Sequence, residues 1–286
     1  MNVRVLRRGD GAYPALLAQI PDPPSRLWLR GDAPHELLDR PAVAIVGARA
    51  CSGYGRSVAR LLAAEAAAAG AVVISGMARG VDGEAHRGAL AAGGATVAVL
   101  GCGIDRDYPA AHAELAGAIV AAGGLVVSEY EPGVEPAPWR FPARNRIIAG
   151  LARATVVVEA RKRSGALITA DFALEDGREV LAVPGEITSG LSAGTNALLR
   201  IGATPATSPV DVLEALGLDP QRPTTTTDDP VAGAVLTAVE SGAGTADELS
   251  RATGVGAGEI AAALALLELA GSVAVDEGVV RSTIAR

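Results

Sequence analysis

Cysteine, histidine, lysine and aromatic residues are all scarce in this 286-residue chain, and each scarcity removes a class of function. The two cysteines, Cys51 and Cys102, lie far apart with no CxxC pair or Cys/His cluster, so neither a disulfide framework nor a zinc site is supported. Of the three histidines, His35 and His112 read as surface residues. His86 has no serine or cysteine nucleophile at triad-like spacing and reads as a structural hydrogen-bonding residue. No run of about 18 uncharged apolar residues occurs, and Met1-Asn2-Val3-Arg4 opens no apolar signal region, which predicts a soluble cytoplasmic protein. Aromatic content is only 3%, so any ligand must be held more by charge than by stacking.

What is present is apolar residue in quantity, 49% of the chain, enough for one α/β domain and a smaller companion. The net charge of -7 argues against a polyanionic partner until its distribution is considered. From Trp139 to Arg163 seven basic residues (Arg140, Arg144, Arg146, Arg153, Arg161, Lys162 and Arg163) face one acid, Glu159. From Asp228 onward nine acids face three arginines. One region can attract phosphate and the other should repel it.

Residues 1–40 read as a short helix and an extended arm packed on the main domain, interrupted by Pro21, Pro23 and Pro24. Uniformly apolar runs then alternate with helical stretches: Val43–Val46, Val72–Ile74, Val97–Leu100, Leu125–Val127, Val156–Val158 and Val180–Val183. Strands apolar on both faces and separated by helices predict an extended Rossmann-like, doubly wound, mostly parallel α/β sheet over 41–217. Ligands of such sheets bind beyond the carboxyl ends of the strands. Pro220, Pro223 and four threonines mark a linker over 218–230. Beyond it, over 231–286, a helix, a Thr245-to-Glu248 capping box opening a second, a longer third ended by Gly271, and a hairpin spell a small winged helix.

The motifs fall at the predicted strand ends. Gly47-Ala48-Arg49 and Ser52-Gly53 open a helix whose free N–H groups and hydroxyl can cradle a phosphate. The spacing is not that of a dinucleotide fingerprint, and no acid closes the second strand, so no nicotinamide cofactor is expected. Ser75-Gly76 and Arg79 follow that strand, with Asp82 suited to cap the next helix, and Gly101 and Gly103 follow the third. Phe141, Arg144, Asn145 and Arg146 open another helix, where the dipole favours anions. Arg163, Ser164 and Gly165 repeat the pattern of a basic strand end, a turn and a helix start. Hydroxyls, amides and arginines with almost no paired acids predict a phosphate-binding surface without catalytic residues, metal or cofactor.

In that order, with Tyr13-Pro14, Tyr108-Pro109, Ser128-Glu129, Pro184-Gly185 and Gly194-Thr195-Asn196, these motifs resemble the DprA/Smf family from about Tyr13 to Leu216. The resemblance implies single-stranded DNA binding on the Rossmann-like domain and delivery to a RecA-type recombinase in natural transformation. It also implies a homodimer through the same domain, placed by position near Leu198–Leu216, and a DNA pocket that includes Arg49. The N-terminal arm leaves little room for the helical SAM-like domain of many relatives. Two rival readings remain. One is a nucleoside-monophosphate phosphoribohydrolase on a related fold, for which Pro184-Gly185-Glu186 lacks the second glycine and the downstream acid. The other is a transcription factor acting through the winged helix, which the acidic balance of that domain disfavours.

Overall fold

The computed structural model describes residues 3–219, 229–269, 272–276 and 278–282, and the chain divides into two compact units, Met1–Pro220 and Gln221–Arg286. In the first unit the apolar runs become parallel strands: β3 (Ala42–Val46), β4 (Val72–Ser75), β5 (Thr96–Leu100), β6 (Leu125–Ser128), β7 (Ala154–Val157), β8 (Glu179–Ala182) and the short β9 (Thr204–Pro205). Side chains alternate along each strand. Ala42, Ala44 and Val46 of β3 enter one core, whereas Val43 and Ile45 enter the other, so both faces need cover. Helices α1 (Ala15–Ala18), α5 (Arg140–Gly150), α6 (Gly165–Glu175) and α7 (Ala193–Arg200) contribute to the first core. Helices α2 (Gly53–Ala68), α3 (Val81–Ala91) and α8 (Pro209–Leu216) contribute to the second, and α4 (Ala113–Ala121) packs over β5 and β6.

Residues 1–40 are more integral than an arm. They supply β1 (Val3–Arg7) and β2 (Arg26–Arg30), and the whole sheet runs β1-β2-β6-β5-β4-β3-β7-β8-β9. β2 joins β6 antiparallel, Leu29 opposite Val127, and is fully committed to the sheet, with Leu27 and Leu29 buried. The chain order reverses at β3, whose parallel neighbours are β4 on one side and β7 on the other. That reversal leaves a crevice beyond the carboxyl end of β3, the usual ligand position in such sheets.

The second unit contains α9 (Pro230–Glu240), α10 (Ala246–Thr253), α11 (Ala257–Leu269) and an antiparallel hairpin of β10 (Val273–Asp276) and β11 (Val279–Ser282). Asp229 caps α9, and the Thr245–Glu248 capping box opens α10 as the sequence predicts. Val235, Leu249, Ile260, Leu267, Val273 and Val280 form its core, giving the winged-helix arrangement. Pro220 to Asp228 of the linker and the proposed stop at Gly271 lie outside the described residues. No helix of the described residues is long and apolar enough to cross a membrane.

Candidate functional site

A pocket of about 330 Å³ opens at the reversal point beside β3. Its wall combines Val46, Gly47 and Arg49 from the end of β3, Ala78 and Asp82 after β4, Phe141, Arg144, Asn145 and Ile148 of α5, and Ser164, Gly165 and Ala166 at the start of α6. Three strand-end loops and one helix thus line the pocket, and their side chains divide the work.

Arg49 is exposed and has no ion pair among the described residues; its guanidinium lies 5.6 Å from the centre of the Phe141 ring. Gly80 holds this loop in place: its φ of 76° suits glycine, and a Cβ there would collide with the carbonyls of Ala48 and Arg49. Phe141 stacks on Tyr108 with ring centres 5.0 Å apart. Gly101 makes room for that ring, since a Cβ would stand 2.9 Å from it. Next along α5, Arg140 lies 4.8 Å from the Trp139 ring and 4.9 Å from the Tyr130 ring, and Trp139 is 63% exposed. Four of the chain's eight aromatic residues therefore gather at one rim, a cluster that sequence reasoning missed because its members come from three separate segments.

At the third loop Ser164 caps α6, accepting from the Ala166 N–H at 3.3 Å, and Arg161, Lys162 and Arg163 precede it exposed. The N-terminus of α6 faces the pocket, so its partial positive charge adds to that of Arg49.

Arg144 plays another part. α5 begins at Arg140, so Arg144 and Arg146 lie past its first turn, and the dipole argument for them fails. Arg144 is only 5% exposed and forms the pocket floor, with Nη1 donating to the carbonyls of Gly76 (2.7 Å) and Val99 and Nε to Asn145 Oδ1 at 3.2 Å. Asn145 in turn donates to the Gly165 carbonyl at 3.0 Å and ties α5 to α6. Burial pulls the Arg144 guanidinium down to about 10, with Asp82 acting the other way, so it stays charged at neutral pH. Gly76 lies beneath this guanidinium and has no room for a Cβ. Asp82 is not an N-cap: α3 starts at Val81, and Asp82 turns back to accept from the Ala78 N–H at 3.3 Å. Burial pushes its carboxyl above the usual range, against the pull of Arg144 and the N–H groups of Ala78, Gly76 and Gly47.

Other predicted contacts are turned inward. Arg146 is held by Glu129 at 2.5 and 3.0 Å and by Asp22 at 3.1 Å, and it does not line the pocket. A guanidinium held by two carboxylates is withdrawn from an incoming phosphate. Ser52 is equally engaged: its N–H and hydroxyl donate to the Glu159 carboxylate at 2.9 and 2.5 Å, so the start of α2 is not free for an anion, and neither Ser52 nor Gly53 lines the pocket. Ser75 is buried and donates to the Ile45 carbonyl at 2.6 Å. Gly103 belongs to a turn, donating to Val134 at 2.8 Å. Arg79 is exposed next to pocket-lining Ala78. Carboxylates are thus more involved at this edge than the sequence suggests, through Asp82, Glu129 and Glu159. Among the histidines, His86 is fully buried on Thr96, as a structural residue should be. His112 is buried rather than superficial, with Nδ1 2.9 Å from the Met77 carbonyl. Among the described residues no cluster could hold a metal.

The pocket lies within a stretch of chain that matches a known family. The family model for DNA recombination-mediator protein A matches residues 4–217, and that for the DprA winged helix domain matches residues 219–278. DNA processing protein DprA of Streptococcus pneumoniae is 47% identical over 205 residues, 71% of either chain. A crystal structure of DprA from S. pneumoniae superposes with a TM-score of 0.69 at 44% identity, covering 75% of this chain and 74% of the other. A structure of DprA from Helicobacter pylori, described for its single-stranded DNA binding mode, gives 0.67 at 31% identity, covering 76% and 96%. The chain belongs to the DprA/Smf family of DNA-processing proteins, with the Rossmann-like sheet and winged helix of that family.

Proposed function

We propose that this protein binds single-stranded DNA without sequence preference along the rim of the β3 pocket and delivers it to a RecA-type recombinase as a homodimer through its Rossmann-like unit. The observation that carries the DNA reading is an exposed guanidinium, Arg49, with no carboxylate partner among the described residues, at a pocket that also receives the N-terminus of α6. A phosphate placed between them meets two positive ends, and the aromatic rim beside it offers ring faces to unpaired bases. Recombinase delivery and dimerisation are part of this reading by analogy with the family, and the H. pylori relative, described for its single-stranded DNA binding mode, supports the choice of a single strand. No catalytic group is assigned.

With Arg49, Arg79 and Arg163 as the backbone contacts, log K for a fluorescent oligo-dT should fall with log salt at a slope of about -2. Arg49→Ala should weaken binding about tenfold at low salt, equally for all sequences, and flatten that slope by about one unit. Base-selective loss in a fluorescence-anisotropy titration, or an unchanged slope, would contradict the assignment.

The winged-helix unit is read as making no base contacts. The exposed positions of α11 (Ala257, Gly258, Glu259, Ala261, Ala262, Ala265, Leu266 and Glu268) carry no side-chain hydrogen-bond donor with which to read a base edge. Unlabelled duplex should therefore displace oligo-dT from the full chain at least tenfold less well than unlabelled single strand. Equal competition by duplex would return the third helix to consideration as a reader.

A further inference from the structure

The N-terminus of α2, directly after β3, is where a doubly wound sheet offers its backbone N–H groups to the phosphate of a bound nucleotide. Here that seat is filled from within the chain. The Glu159 side chain is 4% exposed and reaches back from the end of β7 across 107 residues of sequence. Its Oε2 accepts from the Ser52 N–H at 2.9 Å and its Oε1 from the Ser52 hydroxyl at 2.5 Å. Ser52 Oγ in turn accepts from the Gly55 N–H at 3.0 Å. Gly55 completes the fit, because a Cβ there would collide with the carboxylate. These are the partners a phosphate would need: helix-start N–H groups, a hydroxyl and a glycine that permits close approach.

We propose that Glu159 is an internal stand-in for phosphate that closes the nucleotide seat of α2 and excludes mononucleotides and dinucleotide cofactors from this sheet edge. The neighbouring loop is closed by the same device, Asp82 facing the N–H groups of Ala78, Gly76 and Gly47. Among the described residues, of the two helices that follow the strands at the reversal point, α2 has a carboxylate bound across its start, whereas α6 opens onto the pocket without one. A free nucleotide needs a vacant, enclosing seat for its one or two phosphates, whereas a polymer can be held by many weak phosphate contacts spread along a rim. Closing the seats thus selects polymer over monomer, a consequence that rests on the DNA-binding reading, while the closure itself does not.

The seat remains reachable. A second pocket of about 460 Å³, lined by Ser52, Tyr54, Glu159, Gly185, Ser189 and Ser192 among others, borders the carboxylate on its outer side. Trimming Glu159 should join the vacated seat to that pocket. Thermal unfolding of full-length protein in increasing inorganic phosphate, at ionic strength held constant with chloride, provides the test without any DNA. Glu159→Ala should gain about 3 °C or more at phosphate concentrations several times its dissociation constant. Wild type and Glu159→Gln, in which a neutral group of the same size still fills the seat, should gain nothing beyond the chloride control. An Ala variant that folds and shows no phosphate-specific gain overturns the proposal, and so does one that fails to fold with phosphate present, because a seat built for an anion should accept one. Calorimetric titration of wild type with AMP is the second measurement: no heat of binding is expected, and saturable binding overturns the proposal whatever the variants do. Loss of oligo-dT binding in Arg49→Ala bears only on the DNA reading, so the two proposals fail separately.

Discussion

Arg144→Ala should lower the stability of the Rossmann-like unit by about 3 kcal/mol and remove oligo-dT binding with it. The guanidinium is buried where β4, β5 and α5 meet and donates to the carbonyls of Gly76 and Val99, which lose this donor when the side chain is removed. Each buried acceptor left unpaired costs about 1–3 kcal/mol, and the nearby Asp82 carboxyl loses the positive charge that partly offsets its burial. Arg144→Lys should recover only part of the loss, because a single ammonium cannot span two carbonyls and Asn145 as a planar fork does. Urea unfolding followed by tryptophan fluorescence reports on this unit alone, since Trp28 and Trp139 both lie in it. A side chain serving only as a DNA contact would give weakened binding with stability within about 0.5 kcal/mol of wild type. That result would return Arg144 to the rim and undo its assignment to the floor.

Much of this fold is legible in the sequence because its strands are buried on both faces. Val43–Val46, Val72–Ile74 and Val97–Leu100 are continuous apolar runs with little else they could be, and each lies within an observed strand. The edge of the sheet is harder. β2 alternates as Arg26-Leu27-Trp28-Leu29-Arg30, and the prolines just before it disguise its commitment to pairing with β6. Strand pairing over about a hundred residues of separation has no local signal.

The site shows a sharper division. That strand-end loops converge follows from topology, and the pocket lies where the order reverses. Which arginine points into it follows from helix geometry. Residues two apart on a helix lie on different faces. Arg144 and Arg146 therefore cannot share a rim, and they part company accordingly, one bonded to the Gly76 carbonyl and the other to Glu129. The fate of Glu159 was not readable, because its partner Ser52 is remote in the chain and nothing near either residue points to the other. The aromatic rim was obscured for a related reason: a composition of 3% suggests dilution, whereas folding concentrates half of those rings in one place.

The same burial that fixes the floor makes the unit acid-sensitive at one residue. His86 Nδ1 lies 2.7 Å from Thr96 Oγ1, and the Thr96 hydroxyl already donates to the Val73 carbonyl at 2.7 Å. Thr96 must therefore accept from His86, which places the ring proton on Nδ1 and leaves Nε2 buried with no partner. Burial, aided by the charges of His112, Arg87 and Arg144, pulls the imidazole down to about 3 from the ordinary 6.5. Between those values the unfolded chain binds a proton that the folded protein refuses. The stabilisation is thus complete above pH 6.5 and is lost as pH falls, at about 1.4 kcal/mol per unit. Wild type should lose about 2 kcal/mol more than His86→Leu between pH 7 and pH 5 in urea unfolding, the carboxylates common to both proteins cancelling in the comparison. Equal losses would place the acid sensitivity elsewhere.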